Sequence, residues 1–203
     1  MPRSAFELTL GARLLAVVAS VFCIGLFALP HAASGEGDLL FGANDVEFLN
    51  MMGNLEGPRG FTTVSDFAPV PPHRPLTEMT LAEVLGYQRD IRSMGTVSSA
   101  VGRYQFIYPT LLALIEDHDI ADTLIFDEEV QTYLARFLMH DCGFYDRKVN
   151  LLGLGNCLAD AWAALPVVSG PMRGQSAYAG DGINKAFTSP TAVLDVLDRR
   201  FDW

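Results

Sequence analysis

Two short stretches hold side chains able to do acid–base or sugar-binding chemistry. The first is Asn54-Leu55-Glu56-Gly57-Pro58, a carboxylate at the expected end of a helix with Gly and Pro immediately behind it. The negative end of a helix dipole disfavours an ionised carboxylate, and partial burial against Leu55 and Phe61 would act in the same sense. A glutamic acid that keeps its proton near neutrality is what a general acid requires. The second stretch is Gly102-Arg103-Tyr104-Gln105-Phe106, which joins glycine freedom, a guanidinium, an aromatic ring and an amide in consecutive positions. Sugars are held by such sets, through flat apolar faces and paired hydrogen bonds. Taken alone, plainer readings stand beside these: an exposed Glu at a helix end, and Arg and Tyr as structural loop residues.

Other chemistries lack their residues. The chain has no GxSxG, HExxH, CxxC, phosphate-binding Walker loop or GxGxxG, and its histidines (31, 73, 118 and 140) are scattered. Neither a serine–histidine mechanism nor a metal site is supported, and no cofactor is expected. A second carboxylate for a hydrolytic mechanism has one nearby downstream candidate, Asp66, beyond Gly57-Pro58 and Gly60.

The elements that must position these groups are helical. Asn44 or Asp45 can cap a helix whose apolar positions Val46, Leu49 and Met52 lie near helical spacing and which carries Glu56 at its end. Residues 57–76 read as a loop, because Pro69, Pro71, Pro72 and Pro75 exclude a helix; a small hairpin around 60–68 would fill part of it. Thr80-Leu81-Ala82-Glu83 is a capping box opening a helix through Ile91. Residues 93–102 form a small-residue loop, Pro109 starts another helix, and Asp127 caps a third with Val130, Leu134, Phe137 and Leu138 on one face. Asn156 is expected to cap a helix over 158–165, followed by a glycine-rich turn (167–174), a helix near 182–188 and a last one opened by Pro190. The fold class expected is mainly α: one helical domain, residues 35–203, with a Pro-rich loop at its active face.

Composition narrows function. Of 203 residues, 14 are Lys or Arg and 24 Asp or Glu, a formal net charge of −10. That excludes a basic nucleic-acid-binding domain, which must displace counterions from phosphates. Half the residues are hydrophobic, which excludes a disordered chain. The one long apolar run, Leu14 to Leu29, follows Arg3 and Arg13 and precedes Pro30 and the small residues Ala32, Ala33, Ser34 and Gly35. This is the layout of a secretory signal, cut after Ser34 or Gly35. The alternative is a retained anchor, although the run is short of the ~20 residues that span a bilayer. Residues 35–42 read as a flexible lead-in. Export permits disulfides, and the two cysteines outside the signal, Cys142 and Cys157, are expected to pair; two buried free thiols are the alternative.

With these residues on the page, a resemblance is visible. Ser98 to Phe106, followed by Thr110-Leu111, resembles the GRYQ segment of lambda-phage-type endolysins and their exported bacterial relatives. Cys157-Leu158-Ala159-Asp160-Ala161-Trp162-Ala163-Ala164-Leu165-Pro166, with Gly174-Gln175 downstream, is similar to that family's IWASLP…GQ helix and turn. Glu56-Gly57 stands where the family has its catalytic Glu-Gly. The three anchors occur in family order and span residues 45–187.

The resemblance implies a lysozyme-like fold and a peptidoglycan muramidase or lytic transglycosylase, with Glu56 catalytic. It places Gly102, Arg103, Tyr104 and Gln105 on the floor of a glycan cleft and Gln175 beside it. Ser176-Ala177-Tyr178-Ala179-Gly180 also looks like the Ala-Tyr-Asn-Ala-Gly segment of wider transglycosylase families; the Asn is lacking here, and Tyr178 is the candidate binding residue. The Pro-rich 68–76 loop and the Thr80–Ile91 helix exceed what the minimal endolysin needs. The expected partner is therefore the glycan strand of peptidoglycan, in the periplasm or outside the cell. A catalytically silent glycan binder, or an assembly factor serving a secretion or flagellar machine, is the rival from another class.

Overall fold

Six α-helices account for the regular structure of the computed structural model, which describes residues 43–202. The expected signal or anchor (1–34) and lead-in (35–42) lie outside the described residues. The helices are α1 (Val46–Glu56), α2 (Leu81–Ser93), α3 (Tyr108–Asp117), α4 (Glu128–Asp141), α5 (Leu151–Ala161) and α6 (Pro190–Asp198). Single 3₁₀ turns occur at Leu76–Glu78, Ala179–Asp181 and Arg199–Phe201. Helix α5 packs on α4 and α6, α6 also meets α1, and α2 lies against α3. Among the described residues no helix is long and apolar enough to cross a membrane.

Local chemistry explains most helix starts. The Thr80 hydroxyl accepts from Glu83 N–H while the Glu83 carboxylate accepts from Thr80 N–H, the reciprocal box expected for α2. Asp127 accepts from Val130 N–H to start α4, and Ser189 accepts from Ala192 N–H ahead of Pro190 in α6. Pro109 occupies the first turn of α3.

Four expectations are corrected. Asp45 occupies the N-cap of α1, but its carboxylate does not bond that helix end. It is buried and instead accepts from the Arg136 guanidinium (2.7 and 3.1 Å) and the Tyr145 hydroxyl (2.9 Å), fastening α1 to α4. Burial and the Asp45 charge push the Tyr145 phenol up. Asn156 is not a cap: α5 begins five residues after Asp146, where Asn150 accepts from Gly153 N–H, and ends at Ala161. The Asn156 amide points off the side of α5, accepting from Val168 and Ser169 N–H and donating to the Ser169 hydroxyl. The helix near 182–188 does not form, because the Asp181 carboxylate captures Ile183 and Asn184 N–H in a local turn. Nor is there a hairpin within 60–68. Val64 pairs across to Val101, and Val101 to Phe106, as isolated antiparallel bridges.

The core is a continuous cluster built around Phe48, Met52, Leu81, Ile91, Phe106, Phe126, Leu134 and Leu158, all almost fully buried. Phe48 meets Phe144 and Trp162 at ring separations of 5.4 and 6.0 Å. A second aromatic series runs Phe61–Tyr104–Phe106–Phe126 at 6.1 to 6.3 Å. Cys142, just past α4, is bonded to Cys157 within α5, with Cα atoms 5.6 Å apart. Closing a loop of that size removes about 3 kcal/mol of unfolded-state entropy in the chain model.

Candidate active site

Helix α1 ends at Glu56, so the side chain leaves the helix where the chain turns into irregular structure. Two glycines let another segment close on this end. A Cβ on Gly57 would lie 2.5 Å from the Arg103 carbonyl oxygen, and one on Gly53 2.2 Å from the Arg103 guanidinium. The 101–106 turn therefore seats directly on the last turn of α1. It is held from behind by two buried glutamines. Gln131 accepts from Arg103 N–H (2.9 Å) and donates to the Phe61 and Phe126 carbonyls. Gln88 donates to the Ser99 and Phe106 carbonyls, at 2.7 and 2.8 Å.

The other side of Glu56 is closed by the turn after α5. Ala164 N–H donates to Glu56 Oε1 at 3.0 Å, and Trp162 Nε1–H donates to the Tyr104 carbonyl at 3.1 Å. This one turn thus ties the acid to the 101–106 segment. Loss of water around the carboxyl pushes the Glu56 pKa up from 4.5 to about 7, and the Ala164 hydrogen bond opposes that only in part. The raised value is a burial effect, where the sequence pointed first to the helix end.

Glu56 opens into a cleft of about 1000 Å³. Of the residues singled out from sequence, Glu56, Asp66, Tyr104, Gln105 and Tyr178 line it. Gly102, Arg103 and Gln175 do not, and each has another task. Gly102 has φ +80°, and a Cβ there would meet Gln131 Oε1 at 2.4 Å. Arg103 packs its guanidinium over the Phe61 ring, 5.4 Å from the centroid. Gln175 is exposed, and its carbonyl accepts from Val167 N–H across the glycine-rich turn. Tyr104 reaches the cleft by its edge alone, being 3% exposed and packed between Phe61 and Phe106.

Gln105 stands apart. It holds a left-handed backbone (φ +47°), unusual for a residue with a side chain, and its amide donates to the Gly102 carbonyl at 2.7 Å. Asp66 sits on the exposed rim with its carboxylate 2.9 Å from the Arg59 guanidinium. Tyr178 donates its hydroxyl to the Asp160 carbonyl, which fixes its half-exposed ring in the cleft lining.

Sequence reasoning missed the apolar lining. Phe67, Val97, Ile107, Ile183 and Phe187 are all between 44 and 62% exposed and all face the cleft. Phe67 and Phe187 stand in segments without regular periodicity, so only their clustering in space marks them. Trp162 and Ala164 were visible as a motif, but not as the pair that secures the acid. Among the described residues no group of three or more His, Cys, Asp or Glu could hold a metal. No protein-family model, curated protein or solved structure matches this chain.

Proposed function

We propose that the protein is exported and cleaves the β-1,4 bond between N-acetylmuramic acid and N-acetylglucosamine in peptidoglycan, as a lytic transglycosylase on a lysozyme-like fold. The observation that carries this reading is Glu56: one carboxyl shifted to about 7 by burial, in a cleft of about 1000 Å³ lined with exposed apolar side chains. At neutral pH such a group exists as acid and carboxylate in comparable amounts, so it can give a proton and then take one.

The neutral acid protonates the glycosidic oxygen, and the bond to C1 breaks as positive charge develops on the sugar. Glu56, now a carboxylate, removes the proton from the C6 hydroxyl of the same muramic acid. That oxygen closes on C1, giving a 1,6-anhydro end with no water consumed. An internal nucleophile already held beside C1 carries a large proximity advantage. Ala164 N–H steadies the carboxylate stage by its hydrogen bond to Oε1.

A two-carboxylate hydrolase is the second reading, since Asp66 lines the same cleft. Its side chain is 81% exposed and paired with Arg59, a weaker position for a base or nucleophile. Mass spectrometry of muropeptides released from purified peptidoglycan separates the two. Anhydro ends, lost with Glu56→Gln and kept with Asp66→Asn, support the single-acid mechanism; reducing ends only, lost with either variant, establish the hydrolase. A protein that binds glycan but releases nothing is the silent binder.

A further inference from the structure

Residues 178–189, which lead into α6, are tied to the end of α5 and the turn after it at two carbonyls. The Tyr178 hydroxyl donates to the Asp160 carbonyl, and Phe187 N–H donates to the Ala164 carbonyl at 2.9 Å. Asp160 is one of the last residues of α5, whose final carbonyls have no partner within the helix. Ala164 has the more telling place. Its own N–H is the group bonded to Glu56 Oε1, so one residue meets the acid on one side and Phe187 on the other. Ala164 is 3% exposed, whereas Phe187 turns a 59% exposed ring into the cleft. Nothing else ties the strap of residues 182–188 to another element by a hydrogen bond among the described residues. Ile183 and Asn184 bond only back to Asp181, and Lys185 lies over the Phe187 ring itself.

We propose, resting on the glycosidase reading above, that Phe187 is a positioning residue for the acid: its N–H holds this strap against the Ala164 turn, which keeps water from Glu56, while its ring meets the glycan. The same residue thus serves the substrate and the acid by different atoms. Burial is the larger of the two influences on Glu56, and the Ala164 N–H opposes it. Freeing the strap therefore lowers the Glu56 pKa toward its ordinary value, since admitted water outweighs a weakened hydrogen bond. The elements that meet here also bring Arg59 and Asp66, Arg103, Asp160, Asp181 and Lys185. The Glu56 shift is caused by burial and the opposing Ala164 bond, not by these charges.

NMR of glutamate labelled at the carboxyl carbon, with Glu56 assigned from Glu56→Gln, follows this titration directly in the purified protein. The wild-type midpoint is expected at about 7. Phe187→Pro removes the N–H and should lower that midpoint by about 1 pH unit or more. At pH 7 the smaller share of acid then reduces kcat/KM by about fivefold. Phe187→Ala keeps the N–H and should leave the midpoint unmoved, its cost appearing in KM. A backbone ester at Phe187 removes the N–H without adding a ring; it should act as the proline does, and it carries the test where the proline variant does not fold. An unmoved midpoint in the proline and ester forms, or an equal fall in Phe187→Ala, overturns the proposal and leaves the glycosidase reading standing. A midpoint that moves as expected in a protein that releases no muropeptides overturns the glycosidase reading, while Phe187 still sets the state of Glu56.

Discussion

The bed beneath Glu56 and the lips of the cleft are built on opposite plans. In the bed, the end of α1, the 101–106 turn and the turn after α5 are locked by buried glutamines, an indole hydrogen bond and glycines that admit close backbone contact. In the lips, residues 57–75 and 178–189 have little regular structure and expose Phe67, Tyr178, Ile183 and Phe187. The contrast separates two demands. A tuned acid needs water excluded and its neighbours fixed, whereas a long polymer needs apolar surface left uncovered. One region puts its apolar residues into the core, the other leaves them exposed along the cleft.

The largest expected effect tests the bed at its centre. Glu56→Gln should lower turnover by about 10³-fold or more, measured as release of soluble muropeptides. The same change should alter stability with a definite sign. Because the folded pKa of about 7 lies above the ordinary 4.5, the native state holds the proton that the unfolded chain gives up between those values. Stability contributed by the acid is thus complete below pH 4.5 and lost as pH rises through 7. Urea unfolding should find Glu56→Gln near wild type at pH 4 and more stable at pH 8, by up to about 3 kcal/mol. In activity, kcat/KM should fall above pH 7 as the free enzyme loses its acid.

Gln131→Leu keeps bulk but strands the Arg103 N–H and the Phe61 and Phe126 carbonyls. A stability loss of about 3 kcal/mol is expected by denaturant unfolding, with turnover falling alongside it. On the lips the two readouts should part. Phe187→Ala removes an exposed ring and should leave the unfolding midpoint within about 0.5 kcal/mol, while KM for glycan rises several-fold. If Phe187→Ala instead unfolds the protein, the lips belong to the core and the contrast fails. The smallest effect is at Gln105. Gln105→Gly relieves the positive φ and should change stability by less than about 1 kcal/mol, yet reduce glycan turnover by removing a side chain from the cleft lining.

What was legible in the sequence is what local chemistry decides. The Thr80 box, the Asp127 cap and the prolines opening α3 and α6 act within a few residues, and a reader of the chain can follow them. Asn156 shows the limit. As a residue type it suits a helix start, but its partners at Val168 and Ser169 come from the next segment, and they outweigh propensity. Ser65 and Thr63, either side of Val64, likewise bond to Ala100 and Gly102 rather than to hairpin neighbours. Glu56 could be singled out by its place at a helix end and by the resemblance around it. Partial burial against Leu55 and Phe61 could also be anticipated, but the Ala164 contact could not, since that turn is remote in the chain. The cleft's exposed apolar residues were unreadable for the same reason: a lone Phe in a loop has no meaning until others stand opposite.

Glu56 and the amide that bonds it lie 108 residues apart, so the acid's surroundings are assembled from distant parts of the chain. During synthesis the glutamate emerges early and its partner long afterwards. In the unfolded chain Glu56 is an ordinary carboxylate, almost wholly ionised at neutral pH. On the proposed mechanism, the general acid is therefore a late event in the life of each molecule, arriving only once the fold has buried it. A partly opened copy carries the same glutamate without the burial that keeps its proton.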